Sequence, residues 1–92
     1  MVVGICTFSI HLPFARSLKD KRQVLKSLKD RLRRHNLSIA EVDGQDVWQR
    51  TVLGIAAVAE SRPPLERLFE QVTVEIESSI PGEILQREVD YV

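Results

Sequence analysis

The sequence predicts an α+β fold with the element order β-α-β-β-α-β, the ferredoxin-like plan in which two helices cover one face of a four-stranded antiparallel sheet. Three observations predict it. First, four segments either alternate apolar and polar residues or are apolar throughout, as strands do. Second, two other segments repeat apolar residues with a helical period. Third, turn residues separate these segments. A chain of 92 residues can build one two-layer core, so we expect a single ferredoxin-like domain over residues 1–92.

The first half of the chain predicts a strand, a helix and a second strand. Apolar and polar side chains alternate across residues 2–12, which indicates a strand with one face in the core. Ser17 is a suitable helix N-cap, and Asp20 three residues later completes a capping-box pattern. A helix is expected from there to about residue 35, because its leucines share one face: Leu18, Leu25, Leu28 and Leu32. Residues 37–42 then predict the second strand.

The second half predicts two further strands around a second helix. Residues 43–46 contain an Asp-Gly hairpin signal, and residues 50–59 are apolar on both faces, as in a central strand. Pro63-Pro64 can open a helix whose apolar stripe comprises Leu65, Leu68, Phe69, Val72 and Ile76. Residues 83–92 predict the last strand. We expect the first and third strands at the centre of the sheet, since charges suited to edges lie in the other two: Glu41, Asp43, Glu88 and Asp90.

Charge is distributed very unevenly along this chain, although its formal net charge is zero. Residues 1–36 hold nine of the thirteen basic side chains and two of the thirteen acidic ones. The rest of the chain is correspondingly acidic. Such asymmetry within one small domain indicates a charged partner.

Five cations are expected to form one stripe on the first helix: Lys19, Arg22, Lys26, Lys29 and Arg33. At 100° per residue they lie between about +40° and +120° from Leu25. Like-charged neighbours along such a stripe weaken a helix by a few tenths of a kcal/mol per pair, roughly. A phosphate backbone would offset that repulsion. We therefore expect the stripe to bind nucleic acid, structured RNA in particular, assisted at the helix start by Lys21, whose stem should run along the core edge.

Two other readings of the stripe remain open. Acidic residues of the second helix could neutralise it, with Glu66, Glu70, Glu75 and Glu77 as candidates, or an anionic protein could bind it. The alternative function is thus a dimeric protein-interaction or regulatory module that binds no nucleic acid. Base stacking on the sheet, as in an RNA-recognition motif, is not expected because the third strand has no aromatic side chain.

An apolar surface is predicted on the sheet face that the helices leave open. The third strand presents three small apolar residues there and the first strand two more, a set comprising Val3, Ile5, Val52, Ala56 and Val58. Exposed apolar patches of this kind usually mark an interface. We expect a homodimer through this face, the alternative being a modest patch that small side chains make tolerable.

No catalytic constellation stands out, so we expect a non-enzymatic binding protein without cofactor, metal or small-molecule substrate. The lone Cys6 predicts a buried, inert thiol and a reducing cytoplasm. Glu41, Asp43 and Asp46 lack the spacing of a metal-binding loop, and turn chemistry explains the two aspartates. No apolar run is long enough for a membrane span. Trp48 is either an exposed anchor or a side chain packed beneath the hairpin.

Residues 17–22 (SLKDKR) give the chain a family resemblance. Together with residues 24–28 (VLKSL), 40–42 (AEV) and 45–50 (QDVWQR), in that order, the segment resembles the YlxP-like family of small uncharacterised bacterial proteins. The resemblance implies a ferredoxin-like fold and supplies no reaction, cofactor or catalytic residues. Genes of this family often lie near those for a translation initiation factor and a ribosome-binding factor. The resemblance therefore implies ribosomal RNA or a ribosomal particle as a partner.

Overall fold

Six elements follow one another in the predicted order in a computed structural model that describes residues 1–92. They are β1 (Val2–His11), α1 (Leu18–Leu32), β2 (Ser38–Asp43), β3 (Arg50–Ala59), α2 (Arg62–Ser79) and β4 (Glu83–Tyr91). The element order confirms the ferredoxin-like prediction. The first helix is slightly shorter than expected, since it ends at Leu32 rather than near residue 35.

The four strands form one antiparallel sheet in the order β2-β3-β1-β4. The two central strands pair over their whole length, from Val2 opposite Ala59 to His11 opposite Arg50. The edge strands β2 and β4 each carry one irregularity in register where they join the centre. The predicted central and edge positions are therefore confirmed.

The core lies between one face of the sheet and both helices. Cys6, Phe8 and Ile10 point inward from β1, and Leu53 and Ile55 do so from β3, as their alternation predicts. The helices complete the core with Leu25, Leu28 and Leu32 from α1 and Leu65, Phe69, Val72 and Ile76 from α2. Neither helix has the length and apolar character that crossing a bilayer requires.

The start of α1 is fixed by its own side chains. The Ser17 Oγ accepts a hydrogen bond from the Asp20 N–H at 3.1 Å, and the Asp20 carboxylate accepts one from the Arg16 N–H at 3.0 Å. These two bonds satisfy amide groups that a helix start otherwise leaves free, which is worth about 1 kcal/mol for such a cap. The helix that carries the basic stripe is therefore anchored at its first turn.

A close approach of α2 to the sheet depends on a residue without a side chain. Gly4 lies in β1 beneath the Phe69 ring, where a Cβ would come within 2.8 Å of two ring carbons. Gly54 lies on the opposite face of the sheet, where a Cβ would come within 2.8 Å of the Val42 Cγ1. Phe69, the neighbour of Gly4, is buried. Val42, the neighbour of Gly54, is 54% exposed and can rotate into solvent.

Gly4→Ala is expected to lower the free energy of unfolding by about 1–3 kcal/mol, because the new methyl overpacks the buried ring. Gly54→Ala is the matched control and should change the unfolding free energy much less. Urea denaturation of both variants measures the difference. Equal losses at the two positions would contradict this account of how α2 seats on the sheet.

Candidate nucleic-acid interface

The predicted cations do share one flank of α1, the flank beside β2. Four of them line a shallow groove of about 230 Å³ together with Glu41 of β2, namely Arg22, Lys26, Lys29 and Arg33. Lys19 lies exposed at the first turn. Lys29 is half-buried and the others are exposed, so their charged ends face solvent. The helical spacing therefore produces a continuous positive ridge.

Almost none of this positive charge is neutralised within the chain. Arg33 forms an exposed ion pair with Asp30 of the same helix, at 3.2 Å between Nη1 and Oδ1. Lys19, Arg22 and Lys26 form no ion pair, and neither does Lys29. The cations thus remain available to an external anion.

No acidic residue of α2 forms an ion pair with the stripe. Glu66 pairs with Arg62 of its own helix, and Glu70 pairs with Arg87 of β4 at 2.9 Å. Glu77 forms no ion pair. None of these carboxylates reaches the stripe, so the alternative in which α2 neutralises it is wrong. The reason is geometric, because the stripe lies on the flank of α1 turned toward β2.

The opposite flank of α1 faces α2 and is paired. Arg34, just past the helix end, forms an ion pair with Glu75, and the Arg31 Nη1 donates to the Ser79 Oγ at 2.9 Å. The His35 Nε2 lies 3.1 Å from the second Glu75 oxygen. Desolvation and the neighbouring Arg34 lower the pKa of His35 from its ordinary value. These interactions tie the two helices together.

Lys21 has to be removed from the predicted phosphate contacts. Its side chain is 2% exposed, and its ammonium points into the protein instead of assisting at the surface. The Nζ donates to the carbonyls of Gly44 at 2.6 Å and Val47 at 2.5 Å, and it pairs with the Glu41 carboxylate at 3.0 Å. These three acceptors match the three N–H groups of an ammonium. Lys21 is a structural link between α1 and the β2–β3 loop.

Glu41 and Thr51 complete this buried polar cluster. The Thr51 Oγ1 donates to the Glu41 Oε2 at 2.5 Å, and Thr51 is fully buried. Asp43, two residues further, accepts the Gly44 N–H at 2.8 Å and so stabilises the turn. Gly44 has a φ of +79°, a backbone conformation that suits glycine. The acidic residues of this segment thus serve the loop that Lys21 closes.

Cys6 is buried in the core, as predicted, and free of a disulfide. Burial raises the pKa of its thiol to about 11. The reactive thiolate is therefore scarce at neutral pH, and the side chain acts as a small apolar residue.

The residues predicted for a dimer interface do share the open sheet face. Register places Val3 opposite Val58 and Ile5 opposite Ala56, with Val52 further along β3. Ile5 is 39% exposed and Val58 is 53% exposed. Val42 of β2 extends the same apolar surface over Gly54.

Fold and surface together describe a small ferredoxin-like protein with one free cationic helix flank. The chain belongs to the family described as protein of unknown function (DUF503), whose model matches residues 3–89. It is 48% identical over 65 residues to uncharacterized protein YlxP of Bacillus subtilis (strain 168), covering 70% of this chain and 71% of that protein. The predicted family resemblance is thereby confirmed.

Solved structures with a similar backbone bear out the fold. A de novo designed protein with a ferredoxin fold superposes with a TM-score of 0.63 at 17% identity, covering 97% of this chain and 84% of its own. The de novo designed protein Foldit4 superposes with a TM-score of 0.57 at 14% identity, covering 100% of this chain and 97% of its own. At these identities the likeness concerns the fold alone.

Lys21→Met is expected to lower the free energy of unfolding by about 3 kcal/mol, because it leaves the largely buried Glu41 carboxylate without its partner. Lys26→Met removes the same charge from the exposed stripe and should change stability by less than about 0.5 kcal/mol. Urea denaturation measures both variants. Adding Glu41→Gln to Lys21→Met should recover part of the loss, since no unpaired carboxylate then remains. Equal stability of the two single variants would contradict the structural role of Lys21.

Proposed function

We propose that this protein is a non-enzymatic binding protein that docks onto structured RNA or a ribosomal particle through the exposed flank of α1. The phosphate contacts are Lys19, Arg22, Lys26, Lys29 and Arg33. One observation carries the proposal: four of these five cations form no ion pair with a carboxylate of the chain. This is so although the chain has equal numbers of acidic and basic residues.

Electrostatic repulsion along the stripe supports an external anion. Arg22 and Lys26 are four residues apart, Lys26 and Lys29 three, and Lys29 and Arg33 four, so each pair of like charges weakens the helix. Lys19 and Arg22 also lie near the positive end of the helix dipole, which disfavours cations. A polyanion laid along the flank removes both penalties and releases its counterions.

The form of the stripe favours recognition of a nucleic-acid backbone. From Lys19 to Arg33 the helix advances about 21 Å, at 1.5 Å per residue, which is long enough to follow several phosphates of one strand. Double-stranded RNA is recognised in this way, through its shape and its phosphates. The single reduced Cys6 fits a cytoplasmic setting for such a complex.

Reversing two charges at the centre of the stripe tests the proposal. Binding of a blunt RNA duplex of about 16 base pairs is measured at salt concentrations between about 50 and 200 mM. Five phosphate contacts predict a slope of about −4.5 in a plot of log Kobs against log salt. In Lys26→Glu/Lys29→Glu the affinity should fall at least about tenfold and the slope should shrink to about −2.7.

Arg67→Glu is the control for this experiment, because Arg67 is exposed on α2, forms no ion pair and lies away from the stripe. It should leave both affinity and slope close to those of the unaltered protein. RNA binding that survives reversal of Lys26 and Lys29 would remove the stripe from the mechanism.

Homodimerisation through the open sheet face is a second proposal, and the exposed apolar surface around Val58 supports it. In this alternative the protein acts as a dimeric protein-interaction or regulatory module without nucleic acid. The two proposals use different surfaces, since the stripe and the open sheet face lie on opposite layers of the fold. Each can therefore be tested separately.

Val58→Glu is expected to shift the protein from dimer to monomer, because a carboxylate would be desolvated within the interface. Val74→Glu is the matched control, as Val74 is 62% exposed on α2. Light scattering over a range of concentrations measures the mass of each variant. A monomeric unaltered protein at high concentration would contradict the dimer.

A further inference from the structure

The loop between β2 and β3 holds its tryptophan in a defined position. Of the two residues that flank Trp48, Val47 accepts a hydrogen bond from the Lys21 Nζ, and the Gln49 carbonyl accepts one from the Leu12 N–H at 2.8 Å. The Gln49 side chain donates to the Ala15 carbonyl at 3.3 Å. The backbone on both sides of Trp48 is thus anchored to other parts of the fold.

Despite this anchoring, Trp48 is not part of the core. Its side chain is 48% exposed, and its neighbour Val47 is 45% exposed. The alternative in which the indole packs away beneath the hairpin is therefore wrong. A large aromatic side chain on a fixed backbone loses little further entropy on binding, which suits it to contact a partner.

The surroundings of the loop are rich in unpaired cations. Lys21 ties the loop to the helix turn that bears Lys19 and Arg22, and Arg50 follows the loop directly. The side chains of Lys19, Arg22 and Arg50 are exposed and form no ion pair. The same is true of Arg16. Of the nearby carboxylates, those of Asp20 and Asp43 accept backbone N–H groups, and that of Asp46 in the loop is exposed.

An exposed aromatic ring on a loop that Lys21 joins to the start of the cationic helix flank is suited to bind one unpaired nucleotide. Proteins bind unpaired nucleotides by stacking bases on aromatic rings while cations follow the backbone. Stacking of this kind tolerates any base, because every base has a π-face. One ring can serve one base, which predicts a bulge or a helix end rather than a long single strand.

We infer that Trp48 stacks on an unpaired base of an RNA whose adjoining duplex lies along the basic flank of α1. This inference rests on the proposed function and refines its ligand. It adds a contact with a base to a surface that otherwise contacts only the phosphate backbone of the RNA and recognises the shape of its duplex. Lys21 then has a functional consequence although it touches no RNA, since it positions the loop that presents the indole.

The test compares two RNA duplexes that differ in one unpaired nucleotide. One is blunt, and the other carries a single-nucleotide bulge in the same sequence. The unaltered protein should bind the bulged duplex about tenfold more tightly, the effect expected of one base stacked on an aromatic ring. Because Trp48 is the only tryptophan, its fluorescence reports on this site alone, and the bulged duplex should quench it more than the blunt duplex does.

Two variants and one control complete the design. Trp48→Ala should bind both duplexes equally, whereas Trp48→Phe should keep most of the preference because it keeps a ring. Val74→Ala removes an exposed apolar side chain from α2 and should change nothing. Urea denaturation establishes that the variants are folded.

The outcomes separate this inference from the function on which it rests. Equal binding of both duplexes by the unaltered protein, still sensitive to reversal of Lys26 and Lys29, would overturn the role of Trp48 and leave the stripe intact. Binding of neither duplex would overturn both proposals. A fall in molecular mass of Trp48→Ala, with an unaltered RNA preference, would assign the indole to a protein contact and overturn base stacking.

Discussion

The buried ammonium of Lys21 is the interaction on which the arrangement of the exposed surfaces depends. An unpaired ammonium in the protein interior is strongly unfavourable, so its three N–H groups must all find acceptors. They do so in Glu41 of β2 and in the carbonyls of Gly44 and Val47. One side chain thereby joins a helix, an edge strand and a loop. The loop can adopt this shape because Gly44 tolerates a positive φ.

The side chains of α1 fall into three groups according to what they face. Its leucines complete the core, and the residues at its C-terminal end, such as Arg34, pair with α2. The remaining flank, which includes Lys26 and Lys29, faces the groove beside β2 and keeps its charge unpaired. Because the helix is anchored at both ends, the unpaired flank is displayed on a rigid element. Rigid display lowers the entropy lost when a ligand binds.

Much of the fold could be predicted from local patterns. The alternation in β1 and the leucine spacing in α1 specify which faces are buried, since the period of each element is set by its backbone geometry. Apolar residues on both faces of β3 correctly indicated a central strand. The exact end of α1 was less predictable, because residues 33–35 remain compatible with a helix, whereas in the structure Arg34 and His35 lie beyond the helix and contact Glu75 of α2.

The position of the candidate site on α1 was predictable, but not every residue that belongs to it. Helical spacing alone put five cations on one flank, and it put Lys21 about 40° from Leu25, within the apolar sector. A cation at such an angle either extends to solvent or finds a buried partner, and local spacing does not distinguish these outcomes. The decisive partner, Glu41, is twenty residues away in sequence and meets Lys21 through the packing of α1 beside β2.

Local periodicity, turn residues and charge counts thus determined the elements, their order, the inward faces and the polarised charge of this protein. They could do so because each depends on neighbours within a few positions. Only the tertiary structure decided which charges remain free, because ion pairing depends on which flanks of distant elements face each other. Three of the four carboxylates of α2 pair with Arg62, Arg87 and Arg34, and none pairs with the opposite flank of α1, which stays open to a partner.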